Sequence, residues 1–489
     1  MTVLQSAAAG PRLSRWTPPS FLLPHQIEAA RRVAGSLAAF RGALLADAVG
    51  LGKTYVALAV ATRYRSVCAV VPAALAPQWR RVAGAVGVSI AVGTHESLSR
   101  GAAVPPGAFV VVDEAHRFRN PDTKRYDRLA RDVSGRPLLL VTATPVVNRG
   151  ADLVHLLRLF LPDQALACFG IRSLEREVAG SNYPALLRAA GPLIVARPAD
   201  VALPVDDAIP ALRARATVSP APADPDTYRR LLRALAGLRY PAAGSATGAH
   251  LLRLHTYARF ASSAAALGET LHRHETFLSR ARQAAVHGRT PSRGLYRTLF
   301  GTGDDLQLQL DVVLPEAGAS PPDVRELDAE AMRVRRAARL AREATAAPCP
   351  KVDRLLEILG QRGNRKTIVF TSAVATAHDL ARRLGWRHLA VVGGGRARIA
   401  SGPIALQAVL GLFAPLARGE RPPQVGTSVQ TLITTDLLSE GLDLQDADAV
   451  VHYDLPWTSL RLAQRIGRAA RLGTPHASVH VWWFVPPSE

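Results

Sequence analysis

The sequence predicts an α/β protein in which two parallel-sheet lobes flank a helical insertion. From Phe40 to about Pro145, short apolar runs alternate with stretches of helical character. The same alternation returns from Lys351, whereas the region 205–345 is rich in Ala, Leu and Arg at helical spacing. Strands that alternate with helices favour a parallel sheet covered on both faces. We therefore expect one such sheet in each half of the chain.

In the first lobe, each candidate strand is a short apolar run bounded by Gly, Pro or polar residues. Runs of this kind are typical of strands buried inside a parallel sheet. A helical stretch from Tyr55 to Tyr64 follows the first of them. The expected strands are Ala43–Ala46, Val67–Val71, Ser89–Val92, Phe109–Val112 and Leu138–Val141.

The middle of the chain is predicted to be helical, with an acidic linker. Helices are expected over Thr227–Leu238, His250–His287 and Ala331–Ala346. The acidic, Pro-containing stretch Gly303–Glu330 is typical of a linker or flexible loop. We place the domain boundaries at 1–204 for the N-terminal lobe, 205–345 for the helical insertion with its linker, and 346–489 for the C-terminal lobe.

The C-terminal lobe repeats the pattern of the first without repeating its sequence, which suggests a structural duplication. Its apolar runs are again short and separated by helical stretches. The expected strands are Thr367–Phe370, Leu389–Val392, Leu432–Thr435, Ala449–Tyr453 and Ser478–Phe484.

The formal net charge of +21 favours a polyanionic partner such as nucleic acid. Only four residues are lysines, so almost all of the basic charge is arginine. A GC-rich genome explains this preference as well as selection for phosphate binding does. The sign of the charge is therefore informative, whereas the choice of arginine is not.

The composition also indicates where the protein works. No stretch of about 18 apolar residues lacks charge, so no membrane span is expected. The N-terminus lacks the apolar run of a signal peptide, and the three cysteines show no metal-binding or disulfide spacing. We expect a cytoplasmic, nucleoid-associated protein in a reducing compartment.

A glycine-rich turn after the first strand has the chemistry of a phosphate-binding loop. Gly50 and Gly52 let the backbone approach phosphate oxygens, and the helix that follows favours anions at its N-terminus. Lys53 would reach the β- and γ-phosphates, and Thr54 would offer a hydroxyl to Mg²⁺. Asp47 stands where the strict phosphate-loop pattern has its first glycine, so that pattern fails at one position.

A pair of carboxylates ends the fourth apolar run. A carboxylate at the end of a buried strand is costly unless a cation or a polar partner meets it. Asp113 would hold Mg²⁺, directly or through water, and Glu114 would orient and polarise the attacking water. With the loop upstream, the pattern predicts a nucleotide-hydrolysing site that uses Mg²⁺. Thr142, after the fifth run, is placed to sense the γ-phosphate.

These stretches resemble, in order, the motifs of superfamily 2 helicases, and the likeness is greatest to the SWI/SNF-type ATPases with their bacterial RapA-like relatives. The resemblance spans most of the chain and implies two RecA-like lobes and ATP as the nucleotide. Leu23 to Gln26 resembles the adenine-sensing entry, which implies that Gln26 contacts the base. Thr94 to Ser97 resembles motif Ib on the nucleic-acid side, and Thr142 to Asn148 resembles motif III.

The C-terminal lobe carries the remaining motifs of this family. Thr367 to Thr371 resembles motif IV, Thr434 to Gln445 resembles motif V, and Gln464 to Arg471 resembles motif VI. The resemblance implies that Gly441 and Asp443 of motif V bind nucleotide. Even Arg259 to Leu267, with its paired serines, is similar to a family signature between the lobes.

Motif VI supplies the arginines that would act on the γ-phosphate. Arg465, Arg468 and Arg471 recur every three residues, which would place them on one helix face. The resemblance implies that Arg468 and Arg471 are the arginine fingers and that Gln464 lies beside them. Hydrolysis would then require the two lobes to close.

Two classes of function fit the sequence. The first is a DNA-stimulated ATPase that translocates on duplex DNA, with or without strand separation. The second is an ATP-gated clamp on nucleic acid or protein that hydrolysis merely resets. Phage defence, repair and RNA-polymerase recycling are each compatible roles, and a partner protein is expected to supply targeting.

Overall fold

The structure is a computed structural model that describes residues 16–48, 50–143, 150–179, 183–197, 210–300, 313–315, 319–424, 427–436, 442–456, 459–471 and 473–485. The chain forms two compact units. The first comprises the chain up to Ala211 together with short later segments that include Ala470 and Arg471, and the second comprises most of the chain from Leu212 onward. The helical region therefore groups with the C-terminal half, and the three-part domain division of the sequence stays a prediction.

The first unit is built on a six-stranded sheet with strand order β3-β2-β4-β5-β1-β6. The described pairings in this sheet are all parallel, and the four inner strands are buried apolar runs. The strands are β1 (Gly42–Leu45), β2 (Val67–Val71), β3 (Ala91–Thr94), β4 (Phe109–Val112), β5 (Leu138–Val141) and β6 (Ile194–Val195).

Helices connect these strands and cover the sheet. Their buried leucines and valines pack against β1, β4 and β5 in one continuous core. The helices are α1 (Pro24–Phe40), α2 (Lys53–Ala61), α3 (Ala76–Ala85), α4 (His95–Ser99), α5 (Lys124–Val133), α6 (Gly150–Leu157), α7 (Leu174–Ala179) and α8 (Tyr183–Ala190).

The second unit contains an eight-stranded mixed sheet with strand order β11-β10-β9-β12-β8-β13-β14-β7. Its centre is parallel, whereas β9, β10 and β11 pair antiparallel at one edge. The strands are β7 (Ala211–Val218), β8 (Thr367–Thr371), β9 (Leu389–Gly393), β10 (Arg396–Ile399), β11 (Gly402–Ile404), β12 (Thr431–Thr435), β13 (Ala449–His452) and β14 (Ser478–Val485).

The helices of the second unit form two groups. The first group precedes the parallel strands and has an apolar core of its own, in which α11 packs along α13. The helices of the second group alternate along the chain with the strands of the mixed sheet. The helices are α9 (Pro225–Ala236), α10 (Ala246–Ser262), α11 (Ala264–Val286), α12 (Arg293–Phe300), α13 (Val324–Ala346), α14 (Pro350–Arg362), α15 (Val374–Leu384), α16 (Leu406–Phe413) and α17 (Ser459–Ile466).

The predicted α/β fold class is confirmed, and several predicted elements were wrong in detail. The single helix predicted over 250–287 is two helices, because Ser263 has an extended backbone (φ −164°, ψ 159°) that ends α10 and caps α11. Helix α13 begins at Val324, inside the stretch predicted to be a linker. Strand β7 and the antiparallel pair β10 and β11 were not predicted, because their Arg-rich or Pro-containing sequences lack a clear apolar run.

Within the described part of the chain, no helix combines the length and the apolar character needed to cross a lipid bilayer.

Candidate active site

The phosphate loop lies between β1 and α2, as the sequence predicts. Gly50 (φ 92°) and Gly52 (φ 74°) have left-handed backbone conformations that other residues adopt only at an energetic cost. Gly52 also precedes the first residue of α2, Lys53, so the loop leads directly into a helix N-terminus. Because the amides and the dipole at this end favour negative charge, the turn fits a phosphate group.

Lys53 lies folded back over the loop. Its Nζ atom donates to the carbonyl oxygens of Asp47 at 2.9 Å and of Ala48 at 3.1 Å. Burial lowers the pKa of Lys53 to about 8, while the nearby carboxylate of Glu114 opposes that shift. Carbonyl groups are weaker partners for an ammonium than phosphate oxygens, so the side chain is placed to exchange one for the other.

Asp47 holds the start of the loop in place through an ion pair with Arg197. Its buried carboxylate pairs with both sides of the Arg197 guanidinium, at 2.6 Å from Nη2 and 3.2 Å from Nε. The remaining nitrogen, Nη1, donates to the His25 carbonyl oxygen at 2.6 Å. Arg197, which follows strand β6, thus ties the start of the loop to the N-terminus of α1. A bidentate, charge-assisted pair of this kind fixes both position and orientation.

Gln26 lies against the same loop. Its Nε2 atom donates to the Leu51 carbonyl oxygen at 3.2 Å, and its Oε1 atom accepts from the Leu23 amide at 3.0 Å. A Cβ atom added at Gly52 would meet Gln26 Nε2, so the side chain of Gln26 would have to move to accept any other residue there. The predicted contact of Gln26 with adenine stays a prediction.

Asp113 follows β4 and has a fixed orientation. Its Oδ2 atom accepts from Trp79 Nε1 at 2.8 Å, and its Oδ1 atom accepts from the Glu114 amide at 2.9 Å. Its own amide donates to the Val70 carbonyl oxygen in the neighbouring strand. Backbone and indole groups therefore aim this carboxylate, which is the arrangement that a magnesium ligand needs.

Glu114 begins a polar chain that leads to the next strand. Its backbone is left-handed (φ 48°, ψ 46°), an unfavourable conformation for glutamate that often accompanies functional sites. One carboxylate oxygen lies 3.4 Å from Nδ1 of His116, and that nitrogen lies 3.1 Å from the Thr142 hydroxyl. The buried imidazole therefore links the carboxylate expected to orient water with the hydroxyl expected to sense phosphate.

Sheet topology explains why these groups come together. Strand β5 lies between β1 and β4, and all three run parallel, with Leu45 opposite Val141 and Val112 opposite Leu140. The loop residues, Thr142 and the carboxylates each follow the carboxyl end of one of these strands. In open parallel sheets, this edge is where ligands bind.

The motif VI arginines do not lie on one helix face, and that prediction was wrong. Helix α17 ends at Ile466, so Arg468 and Arg471 follow it in a turn. Arg465 is on the helix and is fully buried, with Nε 2.6 Å from Asp436 Oδ1. It therefore holds the structure of the second unit and is not available to a phosphate group.

Gln464, Arg468 and Asp443 are near one another in the second unit. Gln464 and Arg468 are both buried, and Arg468 Nε donates to the Gln464 carbonyl oxygen at 3.1 Å. The amide of Leu444, next to Asp443, donates to the Arg468 carbonyl oxygen at 3.1 Å. Their predicted roles at the nucleotide stay predictions. Gly441 and the motif III residues 144–148 lie outside the described residues.

The residues of the first unit fit ATP with Mg²⁺. The turn has two glycines in left-handed conformations, and a lysine whose ammonium group donates to two loop carbonyl groups. Thr54 on α2 and the oriented carboxylate of Asp113 offer the oxygen ligands that Mg²⁺ prefers.

Two residues of this site were missed by sequence reasoning. Trp79 lies on α3 and Arg197 follows β6, far from the motifs that they hold. No spacing rule joins them to Asp113 and Asp47. The one available signal was that Asp47 and Asp113, as carboxylates next to buried strands, must each have a donor partner.

Known families match two parts of the chain. Residues 89–169 match the family model described as SNF2-related domain. Residues 412–473 match the model described as Helicase conserved C-terminal domain.

Individual proteins also match parts of the chain. An uncharacterized ATP-dependent helicase of Bacillus subtilis, YqhH, is 32% identical over 171 residues, which is 29% of this chain and 30% of that protein. The chain thus aligns with less than a third of the length of this relative. Eukaryotic initiation factor 4A of Cryptosporidium parvum is 43% identical over 53 residues, covering 11% of this chain and 13% of that protein.

A solved structure, the Sulfolobus solfataricus SWI2/SNF2 ATPase core in complex with dsDNA, is 16% identical with a TM-score of 0.35, covering 97% of this chain and 90% of that one. The two family models occur in the order expected for the motifs of an N-terminal and a C-terminal lobe. The chain is thus similar, in this order, to an SNF2-related domain and to a helicase C-terminal domain.

Proposed function

We propose that this protein is a nucleic-acid-stimulated ATPase that translocates along duplex DNA, with or without strand separation. The observation that best supports hydrolysis is the placement of Lys53, Asp113 and Glu114 at the carboxyl edge of one parallel sheet. Transfer of a phosphoryl group to water requires groups that bind phosphate, hold a metal ion and orient the water.

Each residue has a distinct role in this proposal. Lys53 binds the β- and γ-phosphates, Thr54 and Asp113 hold Mg²⁺, and Glu114 orients the attacking water. When bound, Mg²⁺ neutralises negative charge on the phosphates. Gln464 lies beside the arginines, and Arg468 and Arg471 stabilise charge on the transferring group. Gln26 contacts the adenine, and Gly50, Gly52, Gly441 and Asp443 complete the nucleotide contacts.

Charge supports nucleic acid as the partner. The net charge of +21 gives the protein an attraction to any polyanion, and a protein that tracks the phosphate backbone needs little base recognition. Net charge attracts DNA and RNA alike, so the test below includes RNA.

The first experiment measures ATP turnover alone and with duplex DNA, single-stranded DNA or RNA. We expect duplex DNA to raise turnover most. Equal stimulation by RNA would contradict the DNA assignment, and no stimulation by any nucleic acid would overturn the proposed function. Glu114→Gln serves as the control, because it should abolish turnover in every arm while ATP binding persists.

A second experiment separates translocation from the clamp. A triplex-displacement assay reports directional movement on a duplex, and a strand-displacement assay reports unwinding. ATP-dependent triplex displacement by the wild type, absent in Glu114→Gln, would support translocation. Nucleic-acid binding gated by ATP without displacement of any barrier would support the clamp instead.

A targeting partner is a further part of the proposal. Backbone contacts carry no sequence information, so a motor of this kind needs another component to direct it to a site. Affinity purification from the native host, with Glu114→Gln used to hold the ATP-bound state, tests this. Recovery of no stable partner under either condition would count against it.

A further inference from the structure

The junction between α10 and α11 contacts the parallel sheet of the second unit through a buried polar cluster. Ser262 ends α10 and is 1% exposed. Its hydroxyl lies 2.5 Å from Asp454 Oδ2, 2.7 Å from the Thr376 hydroxyl and 3.3 Å from the Thr371 hydroxyl. Nearby, Arg259 Nη1 donates to the Ser372 carbonyl oxygen at 2.7 Å. The helical region is thus joined to strand ends far from it in sequence.

Asp454 is the centre of this cluster. It follows β13, and its buried carboxylate accepts hydrogen bonds from the Ser262 and Thr371 hydroxyls and from the Ser372 amide. A buried carboxylate is tolerated only when hydrogen bonds replace its water, so each of these donors matters to its position. Loss of the Ser262 hydroxyl would remove one of the three.

Asp454 also holds Arg465 on α17. The Asp454 carbonyl oxygen accepts from Arg465 Nη1 at 2.9 Å, and its carboxylate lies 3.9 Å from Nη2. Asp436, at the end of β12, binds the other side of the guanidinium through Nε. Arg465 is completely buried, so these two aspartates determine where α17 lies at this point.

The neighbours of Arg465 are the residues expected at the nucleotide. Gln464 precedes it, and Arg468 follows by one turn, with its amide 3.3 Å from the Arg465 carbonyl oxygen. A continuous set of hydrogen bonds therefore runs from Ser262 through Asp454 and Arg465 to this segment. Because each group is buried and paired, a shift at one end changes the contacts at the other.

We propose that Ser262 is a positioning residue that couples the α10–α11 junction to the Arg465 segment, and through it to stimulation of ATP turnover by nucleic acid. The expected effect on ATP turnover rests on the proposed function. The structural coupling between Ser262 and the Arg465 segment can be measured even if that function is wrong. Ser262 does not itself touch nucleotide in this proposal; it acts through Asp454.

The matched variants are Ser262→Ala and Ser263→Ala. Ser263 is the adjacent hydroxyl, which accepts from the Ala266 amide as the cap of α11 and bonds to Thr376. The described hydrogen bonds of Asp454 are with Ser262, Thr371 and Ser372 instead. Both variants lose one hydroxyl at the same junction. If the junction matters only as a helix boundary, then the two variants should behave alike.

The first readout is amide hydrogen exchange over residues 459–471, measured in the free protein. We expect faster exchange in Ser262→Ala than in the wild type, and wild-type exchange in Ser263→Ala. Unchanged exchange in Ser262→Ala, or the same change in both variants, would overturn the coupling. This readout needs no activity, so it decides the coupling even if nucleic acid does not stimulate the wild type.

The second readout is steady-state ATP turnover with saturating nucleic acid. A lost hydrogen bond to a charged group predicts a fall in stimulated kcat of about tenfold in Ser262→Ala, with KM for ATP unchanged. Ser263→Ala should stay within about twofold of wild type. A rise in KM with kcat unchanged would place Ser262 in ground-state binding and contradict the proposal.

A double variant tests whether Ser262 acts through Asp454. In an Asp454→Asn background, Ser262→Ala should have little further effect on exchange or on stimulated kcat, because the shared partner is already altered. Additive effects would show that Ser262 acts by another route and would overturn this assignment. A wild type that no nucleic acid stimulates would instead refute the proposed function, while the exchange result stands.

Discussion

Single charged residues determine much of the first-unit site. Lys53, Asp47 and Asp113 each lie beside a strand end, and each forms hydrogen bonds with named groups. Charge-assisted hydrogen bonds of this kind fix the orientation of each side chain. Two predictions follow from these pairings, one for protonation and one for stability.

The affinity for ATP should fall as pH rises through the pKa of Lys53. Burial lowers that pKa to about 8, and the neutral amine formed above it cannot pair with phosphate. The dissociation constant for ATP should therefore rise by up to about tenfold per pH unit above pH 8. Calorimetry between pH 7 and 9.5 measures this.

Lys53→Arg is the control for the pH dependence, because a guanidinium stays protonated across this range. The affinity of this variant for ATP should be nearly independent of pH, whatever its absolute value. A flat profile for the wild type, or the same slope in the variant, would show that Lys53 is not the titrating group.

Removal of Arg197 should destabilise the first unit strongly. Arg197→Ala leaves the Asp47 carboxylate buried without its main partner, and breaking a buried pair costs about 3–5 kcal/mol. The double variant Arg197→Ala/Asp47→Ala should recover part of that loss, because no uncompensated charge remains. Urea unfolding monitored in the first unit measures both free energies.

An exposed pair provides the comparison for Arg197. Arg131 and Asp127 are both more than half exposed, and their ion pair at 2.6 Å joins two residues of α5. Arg131→Ala should cost less than about 1 kcal/mol. If Arg197→Ala costs no more than this, the buried pair does not anchor the loop.

At the level of elements, the helical region depends on one buried carboxylate. Glu330 on α13 is fully buried and accepts from the amides of Arg239 and Tyr240 at 2.9 and 3.1 Å. Its other oxygen pairs with Arg333 at 2.8 Å. Tyr240 has a left-handed backbone (φ 58°), so Glu330 holds an unfavourable turn after α9 in place.

Glu330→Gln should loosen this turn. The amide keeps the shape of the side chain but loses the charge, and the loss of charge-assisted bonds predicts about 1–3 kcal/mol of destabilisation. Hydrogen exchange of the amides over 225–240 measures the local effect. The exposed Glu326 on the same helix is the control, and Glu326→Gln should change exchange little. Equal effects from the two variants would refute a special role for Glu330.

At the level of the whole molecule, the positive net charge favours association with a polyanion such as nucleic acid. A net charge of +21 predicts binding that depends steeply on salt and little on sequence. If about five phosphates are neutralised, the logarithm of the association constant should fall with a slope of about −4.5 against the logarithm of salt concentration. Fluorescence anisotropy with labelled duplexes from 50 to 300 mM salt measures that slope.

Duplexes of unrelated sequence are the comparison for the salt experiment. They should bind with similar affinities and similar slopes, since the contacts are to the backbone. A slope near zero would show that the basic charge does not contact phosphate. A strong preference for one sequence would show that base edges are recognised.

The sequence by itself determined the fold class and the positions of the first-unit site residues at the strand ends. Apolar runs such as Phe109–Val112 and Leu138–Val141 are strands with the predicted bounds, because a buried parallel strand must be apolar along its whole length. The phosphate loop and the carboxylate pair were predictable for a related reason. Their residues follow strands directly, so local sequence places them at the same edge of the sheet.

Only the tertiary structure showed which partners hold these groups. Arg197 lies 150 residues from Asp47, and Ser262 lies 192 residues from Asp454, so no local pattern joins either pair. The regular spacing of the motif VI arginines was also misleading. Arg465 is buried between two aspartates, and these contacts rather than helical periodicity determine its role. Local sequence determines which strand or helix forms, whereas the partner of a buried charge depends on which distant elements the fold brings beside it.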